Sequence, residues 1–387
     1  MNRFSKCVGN RVECYGCGMC ASVCKTRVLE MQLNKRGFMV PRVVNSDGCT
    51  NCGLCSTICN YQKHESPSFS MPLAVYAGWS NNPDVRKMCS SGGVAYDIAL
   101  KFLSLGYKIC SVKYDATNKI VEHCIIDDIQ SLNDSAGSKY LQSHTQNAFS
   151  NICTKEKYVI IGTPCQIDMW RRYLKRIKRE DNFILVDFFC HGVPSYNIWL
   201  KYLSENGLRD FAVNKVTWRD KSAGWHSSWN ISVYDSEHAN LDAPYYRSSS
   251  KDGDSFYFMF LSNCALNPSC YSDCKYKEFK SSADIRLGDL WGSKYKNNEE
   301  GVSACLAFTT KGDETLKSIN ATMTKCGNAD VAEGQMKHHI SKPWYYNLVA
   351  AAIRSRRISL KSIRKAFVIS EIFGFQLSKL YKKLTSK

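Results

Sequence analysis

Residues Cys14–Cys24 read CYGCGMCASVC and residues Cys49–Cys59 read CTNCGLCSTIC. Both runs have the spacing C-x2-C-x2-C-x3-C and lie 35 residues apart, so the segment is an internal repeat. This is the spacing of bacterial ferredoxins, where three close thiolates wrap one face of a 4Fe-4S cube and the fourth cysteine of each run ligates the other cluster. The expected ligands are Cys14, Cys17, Cys20 and Cys59 for cluster one, and Cys49, Cys52, Cys55 and Cys24 for cluster two. Zinc normally draws two spaced pairs, not a triplet plus a distant fourth thiolate, so iron-sulfur ligation is the expected chemistry. Gly18 and Gly53 follow the second cysteine of each run, where the absence of a Cβ lets the backbone fold around sulfur. The proline that usually follows the fourth cysteine is Lys25 in one run and Asn60 in the other. Cys7 fits neither run and reads as a spare thiol.

The repeat sits in a chain of 387 residues, long enough for two or three domains. Hydrophobic residues make up 44% and charged residues 22%, which excludes wholesale disorder. Neither an eighteen-residue apolar stretch nor a signal-peptide core is present, so a cytoplasmic protein is expected. Twenty cysteines in such a chain point to metal rather than to disulfides. The net charge of +17 is concentrated at the ends. Arg354–Lys387 carries ten basic residues against one acid, and Met1–Glu65 nine against four. No nucleic-acid motif accompanies this basicity, so no nucleic-acid partner is expected.

Ser66–Pro72 reads as a short linker, which ends a ferredoxin-type domain at residue 65. A strand at 73–80 is followed by a Ser-Ser-Gly-Gly turn (Ser90, Ser91, Gly92, Gly93) that opens a helix. Such a turn either cradles a phosphate or merely caps the helix. YVIIGTPCQ (158–166), a helical stretch and NFILVDFFCHG (182–192) form a strand-helix-strand crossover, so the two strands should be parallel. Cys165 and Cys190 then lie at the carboxyl edge of the sheet, where open α/β folds bind ligands. With the pair Cys270 and Cys274 they make a third four-thiolate site, or else four buried small hydrophobes; Cys264 is a substitute ligand.

Six strings in order resemble the beta subunits of coenzyme F420 hydrogenases and dehydrogenases, in the form with a double-cluster ferredoxin domain in front. They are CSSGG at Cys89, GSKYLQS at 137–143, IGTPCQ at Ile161, CHGVPS at Cys190, PSCYSDC at Pro268 and DIRLGDLWG at 284–292. The resemblance implies an α/β flavoprotein with one further 4Fe-4S cluster, passing electrons between iron-sulfur centres and a two-electron substrate through FAD. It implies Ser90, Ser91, Gly92, Gly93, Lys139, Tyr140 and Ser143 as flavin contacts, and the third cluster on Cys165, Cys190, Cys270 and Cys274. Three residues separate Cys270 from Cys274, where two are expected. Lys139 is expected near the flavin N1 edge, where a cation stabilises the reduced ring. Asp289 and Trp291 are pocket candidates, and His191 either donates a proton or orients its loop.

The expected architecture is an α+β ferredoxin-like double-cluster domain (1–65), a linker (66–72), an α/β flavin-binding body (73–350) and a basic amphipathic helix (351–387) carrying Leu360, Ile363, Phe367, Phe373, Leu377 and Leu380 around Gly374. That helix either packs on the body or lies on an anionic membrane surface. The expected function is an iron-sulfur flavoprotein oxidoreductase that exchanges electrons with an acidic ferredoxin or flavodoxin, coenzyme F420 being one candidate substrate. The alternative is an electron-transfer subunit without a substrate of its own.

Overall fold

The computed structural model describes residues 7–209, 213–235, 243–271, 274–335 and 340–367. In the ferredoxin-type segment each cysteine triplet runs into a short helix, Met19–Ser22 after the first and Leu54–Ile58 after the second. Gly18 and Gly53 head these helices at φ 78° and 74°, a left-handed conformation that favours glycine. Between the runs lies an antiparallel hairpin, β1 (Leu29–Leu33) and β2 (Met39–Val43), with Met31 opposite Pro41. Pro41 is tolerated there because the sheet has only these two strands, so both are edges.

The body contains β3 (Ala74–Ser80), β4 (Lys108–Asp115), β5 (Ile120–Ile126), β6 (Tyr158–Ile161) and β7 (Phe183–Phe188). It continues with β8 (Val213–Thr217), β9 (Asn230–Asp235), β10 (Tyr246–Ser249), β11 (Ile285–Asp289), β12 (Ser303–Ala307) and β13 (Ala321–Lys325). Eight strands form one mixed sheet in the order β13-β3-β12-β11-β7-β6-β4-β5, and β8–β10 form a separate antiparallel sheet. The pairs β4–β6, β6–β7 and β7–β11 are parallel, as the crossover reading expects. β3 runs the same way, because it is separated from β11 by the antiparallel β12. The carboxyl ends of β3, β6, β7 and β11 therefore open on one edge.

Both faces of this sheet are covered, as central parallel strands require. Val159, Ile184 and Val186 face one core, packed by Val94 and Ile98 of the helix Val94–Ser104. The alternate residues Tyr158, Ile160, Phe183 and Leu185 face the other, against Ile167, Trp170 and Leu174 of the helix Pro164–Ile177. Met19, Val23 and Ile58 of the ferredoxin-type segment belong to this second core. The segment is thus packed into the body. The linker is also pinned, with Phe69 and Ser281 exchanging backbone hydrogen bonds of 2.8 and 3.0 Å.

At the far end Leu360 and Ile363 are buried in an aromatic cluster around Trp199, Trp218 and Phe256, with Phe367 beside them. Of the helix expected over 351–387, residues 351–367 are described and are not one helix: 351–354 end the helix Tyr346–Arg354, 355–359 are non-helical, and a new helix from 360 packs on the body. Phe373, Gly374, Leu377 and Leu380 lie outside the described residues. No helix among the described residues is long and apolar enough to cross a membrane.

Arg286 on β11 and Asp187 on β7 form a pair in which both side chains are fully buried, with both carboxylate oxygens engaged at 2.7 Å. Removing one partner of such a pair strands the other charge. Asp187→Ala is expected to cost about 3–5 kcal/mol, read as an earlier unfolding midpoint in anaerobic denaturation.

Candidate functional site

A cavity in the ferredoxin-type segment is lined by Cys14, Cys17, Cys20 and Cys59, with Met31, Cys55, Ile58 and Met169 around them. It brings the first triplet together with the last cysteine of the second run. Burial pushes the Cys14 thiol up to about 11, against the lowering effect of the Gly16 amide, and the Cys59 thiol adds to the rise. Burial and then their neighbouring thiols hold Cys17 and Cys20 well above the ordinary range. Buried thiols that resist ionisation, as those of Cys14, Cys17 and Cys20 do, suit a cationic iron centre, which would draw them as thiolates. Close packing shapes this cavity, since a Cβ on Gly18 would meet the Thr145 hydroxyl at 1.8 Å. Thr145 in turn donates to the Cys17 carbonyl at 3.1 Å.

Cys24, Cys49 and Cys55 pack on a second apolar cluster with Val8, Ala21 and Val28, and Cys52 is exposed. This quartet lies nearer solvent than the first. The Cys7 thiol contacts that of Cys55, which places the spare cysteine beside this group.

Cys165 stands in the first turn of the helix Pro164–Ile177, not in the preceding loop expected from sequence. Its thiol is held well above the ordinary range by burial and then by the thiols of Cys17, Cys190 and Cys270. Cys190 follows β7, and its thiol interacts with those of Cys270 and Cys274. Cys190 and Cys270 thus link Cys165 to Cys274, and the Cys17 thiol of the ferredoxin-type quartet interacts with that of Cys165. The Cys274 amide donates to the Tyr271 carbonyl at 2.9 Å. Lys277, 3% exposed, donates to the carbonyls of Cys190 and His191 at 3.0 and 2.8 Å, fixing that loop beside the thiols. Cys264 is buried in the aromatic core and donates to the Met259 carbonyl, so it lies apart from this quartet.

The other singled-out residues interlock along the same edge. The Ser90 hydroxyl accepts from the Ser138 amide at 2.7 Å, joining the Ser-Ser-Gly-Gly turn to the GSKYLQS segment. Ser91 donates to the Val302 carbonyl and the Gly92 amide to the Ser303 hydroxyl. A Cβ on Gly92 would meet the Gly78 carbonyl at 2.4 Å, so this glycine closes the loop onto β3 and β12. Gly93, at φ 90°, starts the following helix. Ser143 is buried and accepts from the Gln166 side chain at 2.9 Å, tying GSKYLQS to TPCQ. The Lys139 ammonium donates to the carbonyls of Ser135, Ala136 and Gly137, which cap the helix Ile129–Ser135. Burial pulls its pKa down to about 7.

Sequence reasoning missed Arg219, the hub of this network. Its guanidinium contacts the Tyr140 hydroxyl at 3.2 Å and the Asp289 carboxylate at 2.8 Å, and lies over the rings of Trp229 and Trp291 at 4.7 and 5.3 Å. Tyr140 stacks on Trp229, and Trp225 stacks on Trp291 while donating to Asp289 at 3.0 Å. The Nη2 of Arg219 is buried and has no hydrogen-bond partner among the described residues. Lys221, two residues on, donates to the carbonyls of Ser91 and Glu300 at 2.9 and 2.6 Å. The only signal in the sequence was the tryptophan-rich stretch Trp218–Trp229 around these two cations. Aromatic faces, closely set glycines and an unpaired guanidinium N–H fit a planar, anionic cofactor such as a flavin.

Two ferredoxin-type quartets, joined to an α/β body, define an iron-sulfur electron-transfer subunit of oxidoreductase type. Residues 13–63 match the 4Fe-4S dicluster domain, which carries two clusters. Residues 155–332 match the C terminus of the coenzyme F420 hydrogenase/dehydrogenase beta subunit, so that segment is similar to this family. No curated protein matches the chain. Among solved structures, the F420-reducing NiFe hydrogenase complex from Methanosarcina barkeri aligns at a TM-score of 0.46 and 15% identity, over 81% of this chain and 97% of that one.

The cavity groups Cys59 of the second run with the first triplet. Cys14→Ser and Cys59→Ser are expected to perturb the same electron paramagnetic resonance signal, and Cys24→Ser the other. Cys24→Ser damaging the signal built on Cys14 would reverse the assignment.

Proposed function

We propose that this chain is an iron-sulfur flavoprotein that takes electrons from an acidic ferredoxin or flavodoxin and delivers them in pairs to a small organic substrate. Coenzyme F420 is the candidate substrate that the family supplies. The observation that carries this reading is that Cys17 packs on the core built by the helix of Cys165, where the two thiols interact, which supports a ferredoxin-type quartet close to the thiols at the carboxyl edge. When bound, 4Fe-4S clusters exchange single electrons, and FAD holds one or two and releases a hydride. Cys165, Cys190, Cys270 and Cys274 would hold the third cluster, and Lys277 would offset part of its negative charge.

Ser90, Ser91, Gly92, Gly93, Lys139, Tyr140 and Ser143 are the residues proposed around the flavin. Their roles divide by contact. Tyr140 and Arg219 present an aromatic face and an N–H donor, whereas Lys139, Gly92 and Ser143 set the shape of the loops through backbone and side-chain contacts. Asp289 keeps Arg219 charged and oriented. His191 packs edge-on against Phe260 and is kept toward its neutral form by burial, which suits a residue that orients its loop.

The outer quartet adjoins exposed basic residues, Lys25 next to Cys24 among them. Opposite charge on a partner would steer encounter there, an effect that salt screens. Lys25→Glu is expected to slow reduction by an acidic ferredoxin in stopped flow, with the wild-type rate falling as salt is added. Rates indifferent to both would move the docking site elsewhere.

The class is tested by anaerobic purification and analysis. About twelve irons and FAD released on denaturation are expected, with Lys139→Ala retaining the iron and losing FAD on desalting. About eight irons would remove the third cluster, and full activity without flavin would remove the proposed route.

A further inference from the structure

Where the ferredoxin-type segment meets the body, one buried carboxylate is bound to residues that adjoin both thiol quartets. Asp168 stands three residues after Cys165 and its side chain is 1% exposed. Its Oδ2 accepts from the Asn60 amide at 2.7 Å, the Tyr276 hydroxyl at 2.9 Å and the Arg172 Nε at 3.1 Å. Its Oδ1 accepts from the Ser282 hydroxyl at 2.5 Å. Asn60, fully buried, follows Cys59 directly, and Tyr276 lies two residues after Cys274. Tyr276 meets Tyr15, the neighbour of Cys14, edge-on at 5.6 Å, and Tyr15 meets Tyr61 at 5.2 Å. The phenol of Tyr15 feels Cys274, Cys165 and Cys270 as well as Asp168. Asp168 and these side chains thus connect residues next to both quartets.

We propose that Asp168 is a positioning residue that sets the reduction potentials of the two centres flanking this junction, the inner ferredoxin-type cluster and the third cluster. The inference rests on the third cluster of the proposed function. Asn60, Tyr276 and Ser282 all donate toward Asp168; in an asparagine the amide oxygen takes the Oδ2 place toward Asn60 and Tyr276, and the amide NH2 at the Oδ1 place requires the Ser282 hydroxyl to turn and accept. What the carboxylate adds is charge, and in a low-dielectric junction a charge is felt far more strongly than in water. A fixed negative charge opposes the addition of an electron to either neighbour. Arg172 compensates it from the solvent side, where it also pairs with Glu65, and Lys275 lies beyond, against the carbonyls of Asn60 and Glu65. Asp187 acts on the same field from the body, where Arg286 neutralises it. The two charges bound to one another at the junction, Asp168 and Arg172, should therefore act on both centres with opposite signs.

The experiment is an anaerobic redox titration of the full chain followed by electron paramagnetic resonance. The inner ferredoxin-type signal is identified by its loss in Cys14→Ser and the third-cluster signal by its loss in Cys190→Ser. Asp168→Asn is expected to move both midpoints to more positive potential, and Arg172→Gln to move both to more negative potential, with iron content unchanged. Unmoved midpoints, or a shift of one sign in both variants, would overturn the proposal, since a purely structural junction has no reason to reverse sign with charge. Should Asp168→Asn lose iron, Arg172→Gln decides alone by the direction of its shift. About eight irons in the unaltered chain would instead show that the third cluster is absent, and the inference would fall with that reading rather than by its own test.

Discussion

The shared core between the ferredoxin-type segment and the α/β body is the contact on which the rest depends. Met19, Val23 and Ile58 pack with Ile160, Trp170, Phe183 and Leu185, so the inner cysteine quartet is attached to the same apolar cluster as β6 and β7. Fully burying such side chains contributes about 1.5–3 kcal/mol each. That is enough to hold the segment in place without relying on the short linker, and the backbone bonds between Phe69 and Ser281 fix the linker as well. A carrier domain swinging on a tether would need a polar, weakly packed interface. Here hydrogen bonds at the seam, from Gln142 to the Tyr15 carbonyl and from Asn267 to the Cys14 carbonyl, reach directly to the backbone around the first cysteine.

A consequence of that packing is a high density of buried charge and thiol along one edge of the sheet. Arg286 with Asp187 and Asp168 with Arg172 lie near the cysteine loops, and Arg171 with Asp284 lies before the amino end of β11. Each costs desolvation, and each is compensated by further hydrogen bonds. Such networks are rigid because a small displacement leaves a buried polar group unpaired. Rigidity suits electron transfer between fixed centres, where distances must persist while charge moves. Arg219 extends the same logic to the aromatic side of the edge, pairing with Asp289 beneath two tryptophan rings.

Sequence alone was decisive where chemistry is local. The spacing of Cys14–Cys24 and Cys49–Cys59 specifies its own backbone turns, because glycine at the helix starts and thiols two residues apart leave few other conformations, and residues 13–63 match a 4Fe-4S dicluster domain. The crossover of β6, its helix and β7 was equally legible, since continuous β-branched strands around an amphipathic helix pair in parallel. The order of the short body motifs was enough to indicate the family.

Tertiary structure decided which of those motifs touch and through what. Lys139, read as a cation for a flavin, has its ammonium on three helix-capping carbonyls, a contact set by the turn of the chain at Ala136–Gly137 that no residue pattern encodes. Leu360 and Ile363 carry an apolar stripe that composition left equally suited to a membrane or to the body, and the aromatic cluster around Trp199 settles their place. Arg219 and Asp168 belong to no recognisable string, because their significance lies in partners 70 and 108 residues away. Periodicity and spacing report what a residue does within a few turns of its own chain, whereas a buried charge is defined by the distant groups that satisfy it, and only the folded chain brings those groups together.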